Sequence, residues 1–234
     1  MFRIKDYHLH LPNFSFDDTQ NVRALFGIRI VRDLVNKTAM FFLPLFLYLV
    51  GSELSFAQVL PNSISLNSFQ AGMLTLSLYY IAHGVLGFFV ILFAGNLYQS
   101  IGYQKTFVFS FLLRCIFFAA LYFSKHNPSY LVVAVIFDAL NTQLFWAGYY
   151  TLLSTTAKRK NMGKDVGILY TLIQIVAVIS PAISGFIGFA LGIEVLFLIG
   201  LALTLLSSIF AFKLDVPAPK DTVSYAKFRA WLHE

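Results

Sequence analysis

Cysteine occurs once in the 234 residues, at Cys115 inside an apolar run, which excludes an internal disulfide and a cysteine-based metal site. Charge is scarce: Asp, Glu, Lys and Arg make up 12% of the chain, where a soluble domain carries about 25%. The residues of several enzyme chemistries are missing. There is no glycine-rich phosphate loop, no HExxH and no G-x-S-x-G. His83 and His126 have no metal-ligating partner at helical spacing, so no metal and no cofactor is expected. The single Asn-Pro in "HNPSY" lacks the repeat a water channel would carry. No continuous apolar core occupies the first twenty residues, so no cleavable signal peptide is expected there.

What is present is apolar. Hydrophobic residues make up 58% of the chain, with 26 phenylalanines, and the mean hydropathy is +0.73. One soluble core could hardly bury so much, whereas lipid accepts it on every helix face. About 20 apolar residues cross a bilayer as a helix, and six such segments can be read. They are Ile28–Val50, Gln70–Ala94, Thr106–Ser124, Tyr130–Thr155, Val166–Leu191 and Val195–Phe212, separated by polar breaks such as "SKHNPSY" and "KRKNMGKD". The expected fold is all-α and polytopic. It divides into an amino-terminal segment 1–27, a six-helix bundle 28–212 and a tail 213–234.

The net charge of +6 does not point to nucleic acid, because the basic residues sit in short loops beside the apolar segments. Lys158, Arg159, Lys160 and Lys164 crowd the loop before the fifth segment, while Gly51–Phe69 has no Lys or Arg. This bias predicts cytoplasmic termini in a plasma (inner) membrane protein. Tyr225, Phe228, Trp231 and Leu232 recur at helical spacing, which predicts either a helix lying in the membrane interface or a frayed polar tail. The lipid bilayer is the first expected partner.

Ionisable groups inside a span cost roughly 2.5–3.5 kcal/mol at its centre and are functional candidates by default. The first span carries Arg29, Asp33, Asn36 and Lys37 on one face. They form either an interfacial turn, with Asp33 bridging Arg29 and Lys37, or a group facing a cavity. His83 lies in the second span near Tyr79 and Tyr80, as a proton-linked group or a neutral interhelical partner. Asp138, Asn141 and Thr142 share a stripe of the fourth, with Gln143 and Trp146 pointing elsewhere, and Gln174 is a weaker candidate in the fifth. Pro44 and Pro181 are expected to kink their helices. Arg114 and Asp138 are expected to pair. Each lies roughly 12 Å in from opposite ends of consecutive helices at the helical rise, a depth difference of about 6 Å in a 30 Å core.

"AGNLYQSIGYQKTF", Ala94 to Phe107, reads as the loop between the second and third spans. It resembles the G-x-x-x-D-R-x-G-x-R/K-R/K motif that major facilitator superfamily transporters carry in that loop. Gly95 and Gly102 fall on the two glycines and Lys105 on the last basic position. Gln99 stands where the acid is expected, Ser100 at the arginine and Gln104 at the first basic place. Alternatively, Gly95 simply permits close helix contact and Gly102 a turn. "ISPAISGFIG" is similar to the family's motif in the fifth helix, with Ser180, Pro181, Ser184 and Gly185 on its core.

The resemblance implies a transporter rather than an enzyme, built like the amino-terminal six-helix half of such a protein. It also implies alternating access for an unknown small solute, possible coupling to protons, and a site near the midplane. The second six-helix half would then come from the same chain if this is a fragment, and otherwise from a homodimer or a partner subunit. A six-helix scaffold or assembly subunit without transport is the rival expectation.

Overall fold

Pro44 breaks the first span. Its ring fixes φ and leaves no N–H to donate, so it is tolerated in the first turn of a helix and not in the middle. The computed structural model describes residues 20–54, 66–156 and 162–216. In it α1 (Gln20–Thr38) gives way to a 3-10 turn at Met40–Phe42, and α2 (Leu43–Ser52) restarts with Pro44 in its first turn. Together they make one candidate span, Gln20–Ser52, which begins well before the expected Ile28. The other five are α3 (Ser68–Ile101), α4 (Tyr103–Ser124), α5 (Tyr130–Thr156), α6 (Met162–Leu191) and α7 (Ile193–Ala211). Among the described residues there are six helices long and apolar enough to span a membrane, and no strand. The all-α polytopic fold holds.

The stretch read as a loop between the second and third spans is helical instead. Asn67 and Gln70 start α3 with a reciprocal cap: Asn67 Oδ1 accepts from the Gln70 N–H at 2.8 Å, and Gln70 Oε1 from the Asn67 N–H at 3.1 Å. From there α3 runs through Gly95 and Gln99 to Ile101. Only Gly102 separates it from α4, at φ +83°, a backbone region that side chains disfavour. Tyr103, Gln104 and Lys105 already belong to α4. The turn expected at Gly102 is therefore there. The close contact expected at Gly95 is not, since a Cβ added there would meet nothing within 4 Å.

Lipid is as apolar as leucine, so helices in a bilayer associate through close packing at small residues. A Cβ on Gly51 would lie 2.5 Å from Thr75, and one on Gly72 2.7 Å from the Tyr48 ring, so α2 and α3 touch along a seam of missing side chains. On α5, Gly148 makes room for Tyr98 of α3, whose hydroxyl donates to the Leu144 carbonyl at 2.7 Å. Further, α4 packs on α5 and α7, and α1 on α7 and α6. α6 continues as one helix through Pro181. At one end of the bundle, Asn21 Nδ2 donates to the Asp215 carbonyl and Asn21 Oδ1 accepts from its N–H, both at 2.9 Å. Gln104 Nε2 donates to the Phe212 carbonyl at 3.0 Å. These bonds tie the close of α7 to the starts of α1 and α4.

Two helices stay largely uncovered. Only 11% of the apolar window of α3 and 22% of that of α6 is buried, against 56% for α4. Ile81, Phe88 and Phe89 of α3 and Val178, Phe186 and Phe189 of α6 all point outward. The expected interfacial helix around Tyr225–Leu232 and the basic residues Lys158, Arg159 and Lys160 lie outside the described residues.

Candidate functional site

Two apolar clusters fill the bundle, and a polar layer separates them. On α1, Ile28 belongs to one cluster and Val35 to the other; on α4 the division falls between Phe111 and Phe117, and on α5 between Phe145 and Val135. The residues in the gaps are Arg32, Asp33, Arg114, Asp138 and Asn141, all at most 6% exposed. Burying such groups costs several kcal/mol each unless they find partners, so their bonds decide what the layer can do.

Arg29 Nε approaches Asp33 Oδ2 to 2.5 Å, one turn along α1, as an ion contact rather than an aligned hydrogen bond. Arg32 Nη1 donates to Asn141 Oδ1 at 3.1 Å, which joins α1 to α5. Arg114 Nη2 donates to Asn36 Oδ1 at 2.7 Å, which joins α4 to α1. Asp138 gathers α3 and α5. It accepts from the Tyr79 hydroxyl at 3.2 Å and from Thr142 Oγ1 at 3.4 Å, and His83 Nε2 lies 3.5 Å from its Oδ2. Aromatic rings cover the cations: Arg32 sits 3.8 Å above Phe145, Arg29 4.2 Å above Trp146, and Arg114 5.5 Å from Phe118.

The structure thus brings Asp33, Asn36, His83, Arg114, Asp138 and Asn141 into one layer. Lys37 is left out: it is half-buried and makes no ion pair or hydrogen bond among the described residues, so the expected Arg29–Asp33–Lys37 bridge has only its first half. The expected Arg114–Asp138 bond is not made either. Asp138 is taken by donors from α3 and its own helix, and Arg114 turns to Asn36, although the two charges remain in electrostatic reach of one another. Gln174 is exposed on α6. Gly95, Gln99, Gly102 and Lys105 lie around the α3–α4 junction, away from the layer. Ser180 and Ser184 are buried in α6, where the Ser184 hydroxyl donates to the Ser180 carbonyl at 2.7 Å. Gly185 faces Phe42 in the 3-10 turn of the first span, at ordinary contact distance.

Sequence reasoning missed Arg32, a buried cation that joins α1 to α5. Its signal was present, since it lies three residues after Arg29 and four before Asn36, on the face already singled out. It also set aside Trp146, which lies under Arg29. Among the described residues no group of three or more His, Cys, Asp or Glu side chains is placed to hold a metal ion. What the layer offers is a set of charged and amide groups from four helices, held between apolar plugs. Such a layer can bind a polar solute or a proton inside a membrane.

A comparison with curated proteins finds no match. The family model described as Major Facilitator Superfamily matches residues 25–233, a stretch that takes in nearly all of the first span and the whole of the other five. Members of that family are transporters and not enzymes. With six membrane-spanning helices and this match over most of its length, the chain belongs to the Major Facilitator Superfamily and is an integral membrane transporter of the major facilitator type.

Proposed function

We propose that the chain moves a small solute by alternating access, with the polar layer as its solute and coupling site. The observation that carries this reading is the convergence of Arg32, Asn36, Arg114, Asp138, Asn141 and His83 from four helices at mid-depth. Arg114 is 11 residues into the 22-residue α4, or about 17 Å from its start and about 15 Å from its end at the helical rise. A layer serving only to fix the packing would not need so many charges where each is expensive. The uncovered faces of α3 and α6 fit a second six-helix body, from the same chain, a second copy or a partner subunit, closing around the site. Loop charge supports cytoplasmic termini, and the plasma membrane is the proposed location.

Proton coupling belongs at Asp138 and His83. The groups that face them are Tyr79 and Tyr80 of α3, Thr142 of α5, Arg114 of α4 and Arg32 of α1. Proteoliposomes loaded with a pH dye test both ideas. A solute from a panel of sugars, amino acids and carboxylates should enter and carry protons with it, and Asp138→Asn should abolish the proton movement. If no solute enters, the transport reading fails and a non-transporting scaffold takes its place. That rival draws on Gln99, which stands where the family's loop motif has an acid.

A further inference from the structure

The polar layer holds three guanidinium groups against two carboxylates, and the pairing is uneven. Asp33 is taken up by Arg29, and Asp138 by Tyr79, Thr142 and His83, with no arginine bonded to it. Arg32 and Arg114 therefore have only the neutral amide oxygens of Asn141 and Asn36. Each guanidinium carries five N–H donors. Arg32 bonds through Nη1 and Arg114 through Nη2, and the Nε of each is buried with no acceptor among the described residues.

Moreover, the two unmatched cations are close. Arg114 bonds Asn36, which lies one turn along α1 from Arg32, so the two guanidiniums meet the same stretch of that helix. Two like charges held together in a water-poor layer are stabilised most directly by an anion between them. The rings fix which atoms can meet it. Phe145 covers one face of Arg32, and the unpartnered Nε–H groups of Arg32 and Arg114 point in the guanidinium plane, so the in-plane edge is where donors remain for a ligand. That edge matches two oxygens of a carboxylate or phosphate, and it offers nothing to a cation.

We propose that the solute carried by this site bears an oxyanion, a carboxylate or phosphate, gripped by the in-plane edges of Arg32 and Arg114. The inference rests on the transporter reading and names its substrate class. Asn36 and Asn141 hold the two guanidiniums in place, and Trp146 lies close enough to report binding. The test uses the full chain in detergent with Trp231→Phe, so that Trp146 is the remaining tryptophan. It is titrated with sodium lactate, sodium succinate, sodium phosphate, glucose and choline chloride, at constant ionic strength set with sodium chloride. Thermal unfolding is followed in parallel.

At least one oxyanion should change the fluorescence saturably and raise Tm, while glucose and choline do neither. Arg32→Gln and Arg114→Gln should each weaken that response at least tenfold. Arg32→Lys should fall between, because it keeps the charge and loses the fork. Gel filtration checks that each variant is folded, and the wild-type panel decides the question even if a variant is not. No saturable response to any of the three oxyanions overturns the proposal. So does an oxyanion response unchanged in both Gln variants. Uptake of the same panel in proteoliposomes separates the two readings. Uptake of glucose or choline without oxyanion binding removes this proposal and leaves the transporter, whereas oxyanion binding without uptake of any solute keeps the site and removes transport.

Discussion

Replacing Asn141 with Asp puts a carboxylate where a neutral amide now accepts from Arg32 Nη1 at 3.1 Å. At an effective dielectric constant of about 20, unit charges at that spacing attract by roughly 5 kcal/mol. Asp138 sits one turn away on the same helix, and a second carboxylate about 6 Å off repels the first by roughly 3 kcal/mol on the same scale. The remaining 2 kcal/mol or so is offset by the several kcal/mol needed to bury a new ion, which the nearby Arg114 reduces. The sum lies near zero. Asn141→Asp should therefore leave stability within about 1 kcal/mol of the natural chain. Asn141→Ala removes the acceptor from a buried charged donor and should cost roughly 1.5–3 kcal/mol. Tryptophan-monitored thermal unfolding in detergent gives the order. The new carboxylate would also neutralise the Arg32 charge, so oxyanion binding in the Asp variant should weaken at least tenfold while the fold survives. An Asp variant less stable than the Ala variant would show that the layer has no surplus of positive charge. An Asp variant that binds oxyanions normally would show that Arg32 does not hold them.

Three further outcomes follow from the geometry. A Cβ on Gly148 would stand 2.0 Å from the Tyr98 hydroxyl, so Gly148→Ala should overpack the α3–α5 contact and lose the bond to Leu144, costing roughly 2–4 kcal/mol in detergent stability; a neutral substitution would mean the helices slide apart easily. Exchanging the charges, Arg114→Asp with Asp138→Arg, should give no better folded yield than either single change, because each charge would then face the other's partners; a restored yield would make the two direct partners. A reporter fused after Glu234 should be cytoplasmic and one inserted near Asn62 external, as the Lys158–Lys164 cluster dictates, and the reverse pattern would overturn the orientation.

Span number and helical class were legible because a bilayer imposes them on the sequence as length and hydropathy, with no need of tertiary detail. Boundaries were less so. The polar residues of "AGNLYQSIGYQKTF" suggested a loop, but a helix satisfies its own backbone whatever the side chains, and a single glycine at positive φ is enough to reverse the chain. Gln20 and Asn21, inside the expected amino-terminal segment, and Gln104, at a position of the loop motif, bond the backbone that follows α7.

Partner choice within the site was the least legible part. Depth arithmetic put Arg114 and Asp138 at similar levels, and the structure keeps them near each other. Depth, however, says nothing about rotation around the helix axis, and rotation is what hands Asp138 to Tyr79 and His83 and leaves Arg114 with Asn36. The same gap hid Arg32, which lies on the face of α1 that the sequence left open between an interfacial turn and a cavity-facing group. Once α1 is seen to start at Gln20, Arg32 stands about 18 Å inside the helix, and the charged turn belongs to the interior of the bundle. That change of depth turns an interfacial pair into a surplus of buried positive charge, and the surplus is the property on which the oxyanion reading stands.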